Sequence, residues 1–159
     1  MRTIKARRKE NKTDYKLRLR LLKSEMPRIV IRRTNKYFIV QAVESTEAQD
    51  SSIGGATSKE LMKYGWDKKA EGSLKSVPAG YLTGLLFAKK IKKGKFIIDL
   101  GMARTIPKNR LYSVVKGLVD GGLDINVNKK VFPSQERIDG IHMKKELHAM
   151  IKKVKEKIK

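Results

Sequence analysis

Arg-Ile-Val-Ile-Arg-Arg-Thr-Asn-Lys-Tyr-Phe-Ile-Val-Gln-Ala-Val, residues 28–43, decides the fold. Two runs rich in β-branched and aromatic residues, Arg28 to Arg33 and Tyr37 to Val43, flank the polar triplet Thr34-Asn35-Lys36, and that pattern predicts a β-hairpin. Moving towards the carboxyl end, a polar loop over 44–51 leads to a third strand near Ser52 to Thr57, weakened by Gly54 and Gly55. Thr57 or Ser58 caps a short helix through Lys63 that stops at Gly65. Pro78 opens the clearest helix, roughly 77–92, with Leu82, Leu85, Leu86 and Ile91 supplying bulk. Gly80, Gly84 and Ala88 recur on it at four-residue spacing, which reads as close packing of this helix against a sheet. Phe96-Ile97-Ile98-Asp99-Leu100 is a buried-type strand. Residues 109–120 place Leu111, Val114, Val115, Leu118 and Val119 on one helical face, and Gly121-Gly122 end it. The order βββ-α-β-α predicts an α/β sandwich, a mixed β-sheet with helices packed on it.

In the other direction, Pro27 stops a helix that Thr13 or Asp14 begins. On it, Tyr15, Leu19, Leu22 and Met26 share a face. Residues 16–21 also alternate with period two, but leucine, lysine and arginine without β-branching favour helix. Residues 1–12 have no hydrophobic periodicity and read as a tail that orders on a partner. Beyond Asp139-Gly140, a last amphipathic helix over 141–158 carries Leu147, Met150, Ile151, Val154 and Ile158 along one edge. The expected organisation is a basic arm and helix (1–26), an α/β core (27–125) and a carboxyl-terminal extension with a lysine-rich helix (126–159).

Charge points to the partner. The chain has 159 residues, 38 Lys+Arg against 16 Asp+Glu, and a formal net charge of +22. Residues 1–36 hold fourteen basic and three acidic side chains, half of the excess. Residues 37–88 are close to neutral, whereas Lys89 to Lys95 add five lysines without an acid. An excess so concentrated calls for a polyanion. Cysteine is absent, which removes disulfides and thiolate chemistry. No apolar run approaches the ~20 residues needed to span a bilayer, and no signal peptide is visible, so a cytoplasmic protein is expected.

Catalytic patterns are mostly missing. Gly94-Lys95 lacks the upstream glycine of a phosphate-binding loop, and His142 and His148 project about 120° apart on a helix without a third ligand. Neither metal nor cofactor is expected. The best enzymatic reading is a Mg²⁺-dependent nuclease using Asp99, Asp120 and Asp124; the competing reading makes these strand-end and turn acids. The stronger signal is basic groups interleaved with aromatics and amides. Arg7, Arg8, Lys9, Lys12, Arg18, Arg20 and Lys23 offer phosphate contacts along the arm and helix. Arg32, Arg33, Asn35 and Lys36 crowd the hairpin tip, and Tyr15, Tyr37 and Trp66 are stacking candidates whose alternative is the core. Stacking on unpaired bases is the RNA habit, and no DNA-reading motif is present.

Several segments together resemble a known family: residues 12–41 (KTDYKLRLRLLKSEMPRIVIRRTNKYFIVQ), GATSKELMKYGW, GSLKSVPAGYLTGLLFAKK, IIDLGM, VVKGLVDGGLDI and ERIDGIH. In that order, over roughly residues 7–142, they resemble the large-subunit ribosomal protein family that binds 5S ribosomal RNA, L-eighteen in its archaeal form and L-five in eukaryotes. The resemblance implies an α/β sandwich that grips 5S ribosomal RNA (rRNA) and attaches it to the large subunit at the central protuberance. It further implies contacts with large-subunit rRNA and neighbouring ribosomal proteins, with no role for membrane or DNA. Carried over, its RNA contacts fall on Arg7 through Lys23 (Asn11 included), on Arg28 and Arg32 through Lys36, and on Lys59, Trp66 and Lys68. Arg104, Lys108 and Arg110 are further candidates in a stretch that departs from the family pattern. Two alternatives stand beside it, a free-standing RNA-binding module or chaperone, and the carboxylate nuclease. An amphipathic helix 141–158 lying on an anionic membrane is a third.

Overall fold

A computed structural model describes residues 5–46 and 49–158. Five strands form one mixed sheet: β1 (Arg28–Arg33), β2 (Phe38–Thr46), β3 (Gln49–Thr57), β4 (Lys95–Asp99) and the two-residue β5 (Asp124–Ile125), in spatial order β3-β2-β1-β4-β5. The hairpin is antiparallel with Arg33 opposite Phe38, β3 adds antiparallel to β2, and β4 runs parallel to β1 with Arg28 opposite Ile97. The described residues also form six α-helices: α1 (Ala6–Lys9), α2 (Tyr15–Leu22), α3 (Val77–Lys90), α4 (Arg110–Asp120), α5 (Gln135–Asp139) and α6 (Lys145–Ile158). Short 3₁₀ turns occupy Ser58–Tyr64 and Lys68–Ser73.

The predicted α/β class and mixed sheet are what the chain adopts. Strand alternation buries Ile29 and Ile31 of β1 with Phe38, Val40 and Ala42 of β2 on one face, against Phe87, Val114, Val115 and Leu118 of the helices. Helix α3 is apolar all round, and every residue from Val77 to Ala88 is buried. Its far side builds a second core with Leu61, Trp66, Leu74, Ile138 and the Ile151, Val154 and Ile158 edge of α6. The lysine-rich last helix therefore packs on the body of the protein. Burial of each of these large side chains contributes about 1.5–3 kcal/mol.

Five local expectations are corrected. The Gly80, Gly84 and Ala88 stripe packs against α4 and not against the sheet. A Cβ on Gly84 would lie 2.3 Å from the Val114 carbonyl oxygen, and one on Gly117 would lie 2.2 Å from that of Tyr81. The stretch 44–51 is strand on both sides of residues 47 and 48, which lie outside the described residues, and the ladder absorbs an extra residue as a bulge near Ile53. In α2 the inward face is Leu17, Arg18 and Leu21, which share a hollow with Arg28 and Asp99; Leu19 points outwards. Finally, α2 closes at Lys23, before Met26, and the predicted last helix begins only at Lys145.

The arm, of which residues 1–4 lie outside the described residues, contributes one helical turn. Residues 5–26 bury no side chain fully. The chain exposes 10668 Å², against roughly 8,000 Å² for a compact protein of its mass. The surplus fits a body carrying an arm and an outlying β2–β3 ribbon.

Candidate nucleic-acid interface

Parallel pairing of β1 and β4 brings their carboxyl ends to one edge of the sheet, and the hairpin tip and the 100–109 loop leave from that edge. The tip is a tight turn: the Thr34 amide donates to the Tyr37 carbonyl at 2.9 Å, and the Thr34 hydroxyl accepts from the Tyr37 amide at 3.0 Å. Arg33, Asn35 and Lys36 are left exposed around it. Beside it the Lys59 ammonium sits 4.6 Å from the centroid of the half-buried Tyr37 ring, as the Lys5 ammonium does over Tyr15. Each ring thus has a cation on one face, a favourable arrangement in a polyanion's path.

A cleft of about 780 Å³ opens where β1, the 100–109 loop, the start of α4 and α5 meet. Six of the candidate residues line it: Lys12, Arg32, Arg33, Arg104, Lys108 and Arg110. Arg137 of α5, which sequence reasoning did not single out, is the seventh basic residue, and among the described residues no acidic side chain lines the cleft. Its loop is tied down. The Lys108 amide donates to the Val131 carbonyl at 2.8 Å, and the Asn109 side chain donates to the Arg104 carbonyl at 3.0 Å while capping α4. Lys108 is held at φ +62°, a left-handed conformation uncommon for lysine.

Behind the cleft lies a network of charges. Arg28 is 3% exposed. Its guanidinium donates to Asp50 and to Ser45, each at 2.8 Å, and pairs with Asp99 at 3.5 Å. Arg32 donates to the Asp99 carboxylate at 3.1 Å and to its carbonyl at 2.8 Å, with 44% of its side chain still exposed. Asp99 also accepts the Gly101 amide at 2.7 Å, in a turn where glycine at φ +60° leaves room for the Arg32 guanidinium. Arg18 on α2 reaches Asp50 at 3.0 Å, so the same carboxylates seat the amino-terminal helix on the sheet.

Two expected contacts are interior and are corrected here. Arg28 spends its donors on carboxylates under α2, where a bound strand cannot reach them. Trp66 is 2% exposed in the second core, with its ring N–H donated to the Ala70 carbonyl, and it has no free face for a base. Arg7, Arg8, Lys9, Asn11, Arg20, Lys23 and Lys68 are exposed but do not line the large cleft; Arg7 and Arg18 border a smaller hollow beside it. The nuclease carboxylates are not brought together. Asp99 ends β4 and Asp124 sits opposite Lys95 at its start, about 13 Å of strand apart. Asp120 accepts the Tyr81 hydroxyl at 3.0 Å. Among the described residues no three His, Asp or Glu side chains form a metal-binding group, and no helix is long and apolar enough to cross a membrane.

The network makes a pH prediction. Burial pushes the Asp50 carboxyl up, but the Ser45 hydrogen bond and the Arg28 and Arg18 charges outweigh it and hold it below its ordinary value. In the same balance Glu60, bonded to Lys90 and to the Thr57 amide, and Asp139, bonded to Gln135 and Lys155, also end low. A carboxylate lowered in the folded state stabilises above its unfolded pKa and loses that contribution as pH falls through the folded value. Thermal melts should therefore be insensitive to these groups from about pH 5 to 8, with the midpoint falling below about pH 4. Asp50→Asn should flatten part of that fall.

A mixed sheet with its parallel strand ends, hairpin tip and arm all cationic, and with Asp99 turned inward among arginines, defines a basic α/β protein whose surface is complementary to a polyanion. Comparison with known proteins narrows this. A family profile described as ribosomal large subunit proteins 60S L5 and 50S L18 matches residues 1–96. Large ribosomal subunit protein uL18 of Methanoregula boonei is 43% identical over 140 residues, covering 86% of this chain and 78% of the relative. The proteins of the same description from Methanoculleus marisnigri and Korarchaeum cryptofilum are 45% and 44% identical over 140 residues, with 78% and 70% of their lengths covered. The chain belongs to this family of large-subunit ribosomal proteins.

Proposed function

We propose that the protein is a non-catalytic constituent of the large ribosomal subunit that binds 5S rRNA and attaches it at the central protuberance. Large-subunit rRNA and neighbouring ribosomal proteins are its other partners, on the cytoplasmic ribosome. The observation that carries this is the gathering of arm, hairpin tip and cleft cations at one edge of the sheet, in a chain of that family. Arg7, Arg8, Lys9, Asn11, Lys12, Arg18, Arg20 and Lys23 are assigned to phosphates along the arm and α2. Arg32, Arg33, Asn35, Lys36 and Lys59 are assigned to the tip, with Tyr15 and Tyr37 as aromatic edges, and Arg104, Lys108 and Arg110 to the cleft. Lys68 remains a peripheral candidate. Arg28 organises the site without touching RNA.

The test is competition at roughly physiological salt. Labelled 5S rRNA bound to the protein is challenged with excess transfer RNA and with duplex DNA. Retention of the 5S species supports the reading, and equal displacement by every competitor replaces it with a general RNA-binding module. If about ten Lys/Arg neutralise phosphates, log K should fall against log salt with a slope of about −7 to −9. A slope shallower than about −3 would make most of this charge solvated surface.

A further inference from the structure

The cleft is more than a share of a basic surface. Arg33, Arg104, Lys108, Arg110 and Arg137 reach it from β1, the 100–109 loop, α4 and α5, and none has an acidic partner among the described residues. Elsewhere cations facing inward are matched, as Arg28 is by Asp50 and Asp99 and Lys155 is by Asp139. Five unmatched cations around one hollow repel each other and leave a site complementary to several negative charges. The hollow is built, not incidental. Its loop is pinned at Lys108 and Asn109, and α5 is fixed by Ile138 in the second core and by the Lys116 ammonium donating to Gln135 at 3.0 Å. Met102 and Ile106, each more than half exposed, give it an apolar lip.

We propose that this cleft is a discrete site for consecutive phosphates of one RNA strand, completed from the carboxyl-terminal segment by Arg137. A concave hollow ringed by guanidinium forks suits a single backbone, since each fork can take two phosphate oxygens. The apolar lip suits the face of an unpaired base, the commonest target in sequence-specific RNA recognition. Occupation of the cleft bridges the arm, through Lys12, to the carboxyl-terminal segment, through Arg137. The inference rests on the rRNA-binding reading but assigns a residue and a segment which that reading leaves without a role.

The full-length protein with Arg137→Gln is compared with Lys152→Gln, an equal loss of charge on an exposed part of α6. Both are titrated with 5S rRNA and with large-subunit rRNA at several salt concentrations, after thermal melts verify folding. Arg137→Gln should weaken binding to at least one RNA about 10-fold and make the salt slope shallower by about one, whereas Lys152→Gln should change affinity less than twofold. Equal effects of the two substitutions overturn the site while leaving the rRNA-binding reading intact. Equal displacement of both rRNAs from the wild-type protein by excess transfer RNA overturns both, and does so before any variant is compared. If Arg137→Gln melts early, Arg104→Gln on the loop wall reads the same site with the same expected losses.

Discussion

Removal of residues 1–12 is expected to weaken binding to rRNA at least about 100-fold while moving the thermal midpoint by less than about 2 °C. The segment contains six of the 38 basic residues and one acid. If its six cations neutralise phosphates, the salt slope becomes shallower by about five, so two orders of magnitude at physiological salt is a conservative loss. Its contribution to the fold is small. Helix α1 buries nothing, and among the described residues the side-chain contacts of this stretch are local: Arg7 to the Thr13 hydroxyl at 3.1 Å, Lys5 over Tyr15, and Lys12 to Glu10 at 2.6 Å. Changes at surfaces of this kind stay within about 0.5 kcal/mol, which for a chain of this length is at most about 2 °C. Filter binding across a salt series, with melts of both proteins, reads both quantities. Unchanged affinity would remove the arm as the principal contact and transfer its role to the cleft and the hairpin tip. A large drop in midpoint would make the arm structural.

The frame of the fold was legible because its signals are local. Strand β1 falls where the β-branched run predicts, since alternation and turn chemistry act over a few residues, and α3 was marked by Pro78 at its start and by the bulk of Leu82, Leu85 and Leu86. What was not legible depends on partners distant in the chain. Arg28 reads as an exposed cation until Asp50 and Asp99, 22 and 71 residues away, are brought to it. Trp66, between Gly65 and Asp67, looks like a loop residue. Its amide closes back on the Leu61 carbonyl at 3.1 Å, with Gly65 at φ +104°, and this turn delivers the indole to the core. Arg137 lies well beyond the 100–109 loop, and only the folded chain sets it across the cleft from Arg104 and Lys108. The interface was thus readable as a charge excess and as an arm, but its concave part was not, because four separate segments make it.

The same lesson about partners governs the largest expected effect on stability. The stripe Gly80, Gly84 and Ala88 was visible in the sequence, but its complement in α4, Ser113, Gly117 and Gly121 at the same spacing, was not matched to it. The two helices cross backbone to backbone. A Cβ at Gly117 would stand 2.2 Å from the Tyr81 carbonyl oxygen, 3.0 Å from the Leu85 amide nitrogen and 3.1 Å from the Gly84 Cα. Two effects oppose each other in Gly117→Ala. Helix propensity favours alanine over glycine by about 1 kcal/mol, whereas overpacking costs about 1–3 kcal/mol and more where nothing flexible can yield. All three neighbours here are backbone of a helix wedged between two cores, so the clash wins. Gly117→Ala should lose about 3 kcal/mol net, a fall of about 6–12 °C in melting midpoint. Gly72→Ala, in the Lys68–Ser73 turn with nothing within 4 Å of a new Cβ, is the matched control. It should leave the midpoint unchanged or raise it slightly. If Gly117→Ala melts with Gly72→Ala, the close crossing of α3 and α4 is wrong. If only Gly117→Ala falls, that crossing holds the two cores together, and the cleft at the start of α4 depends on it for its shape.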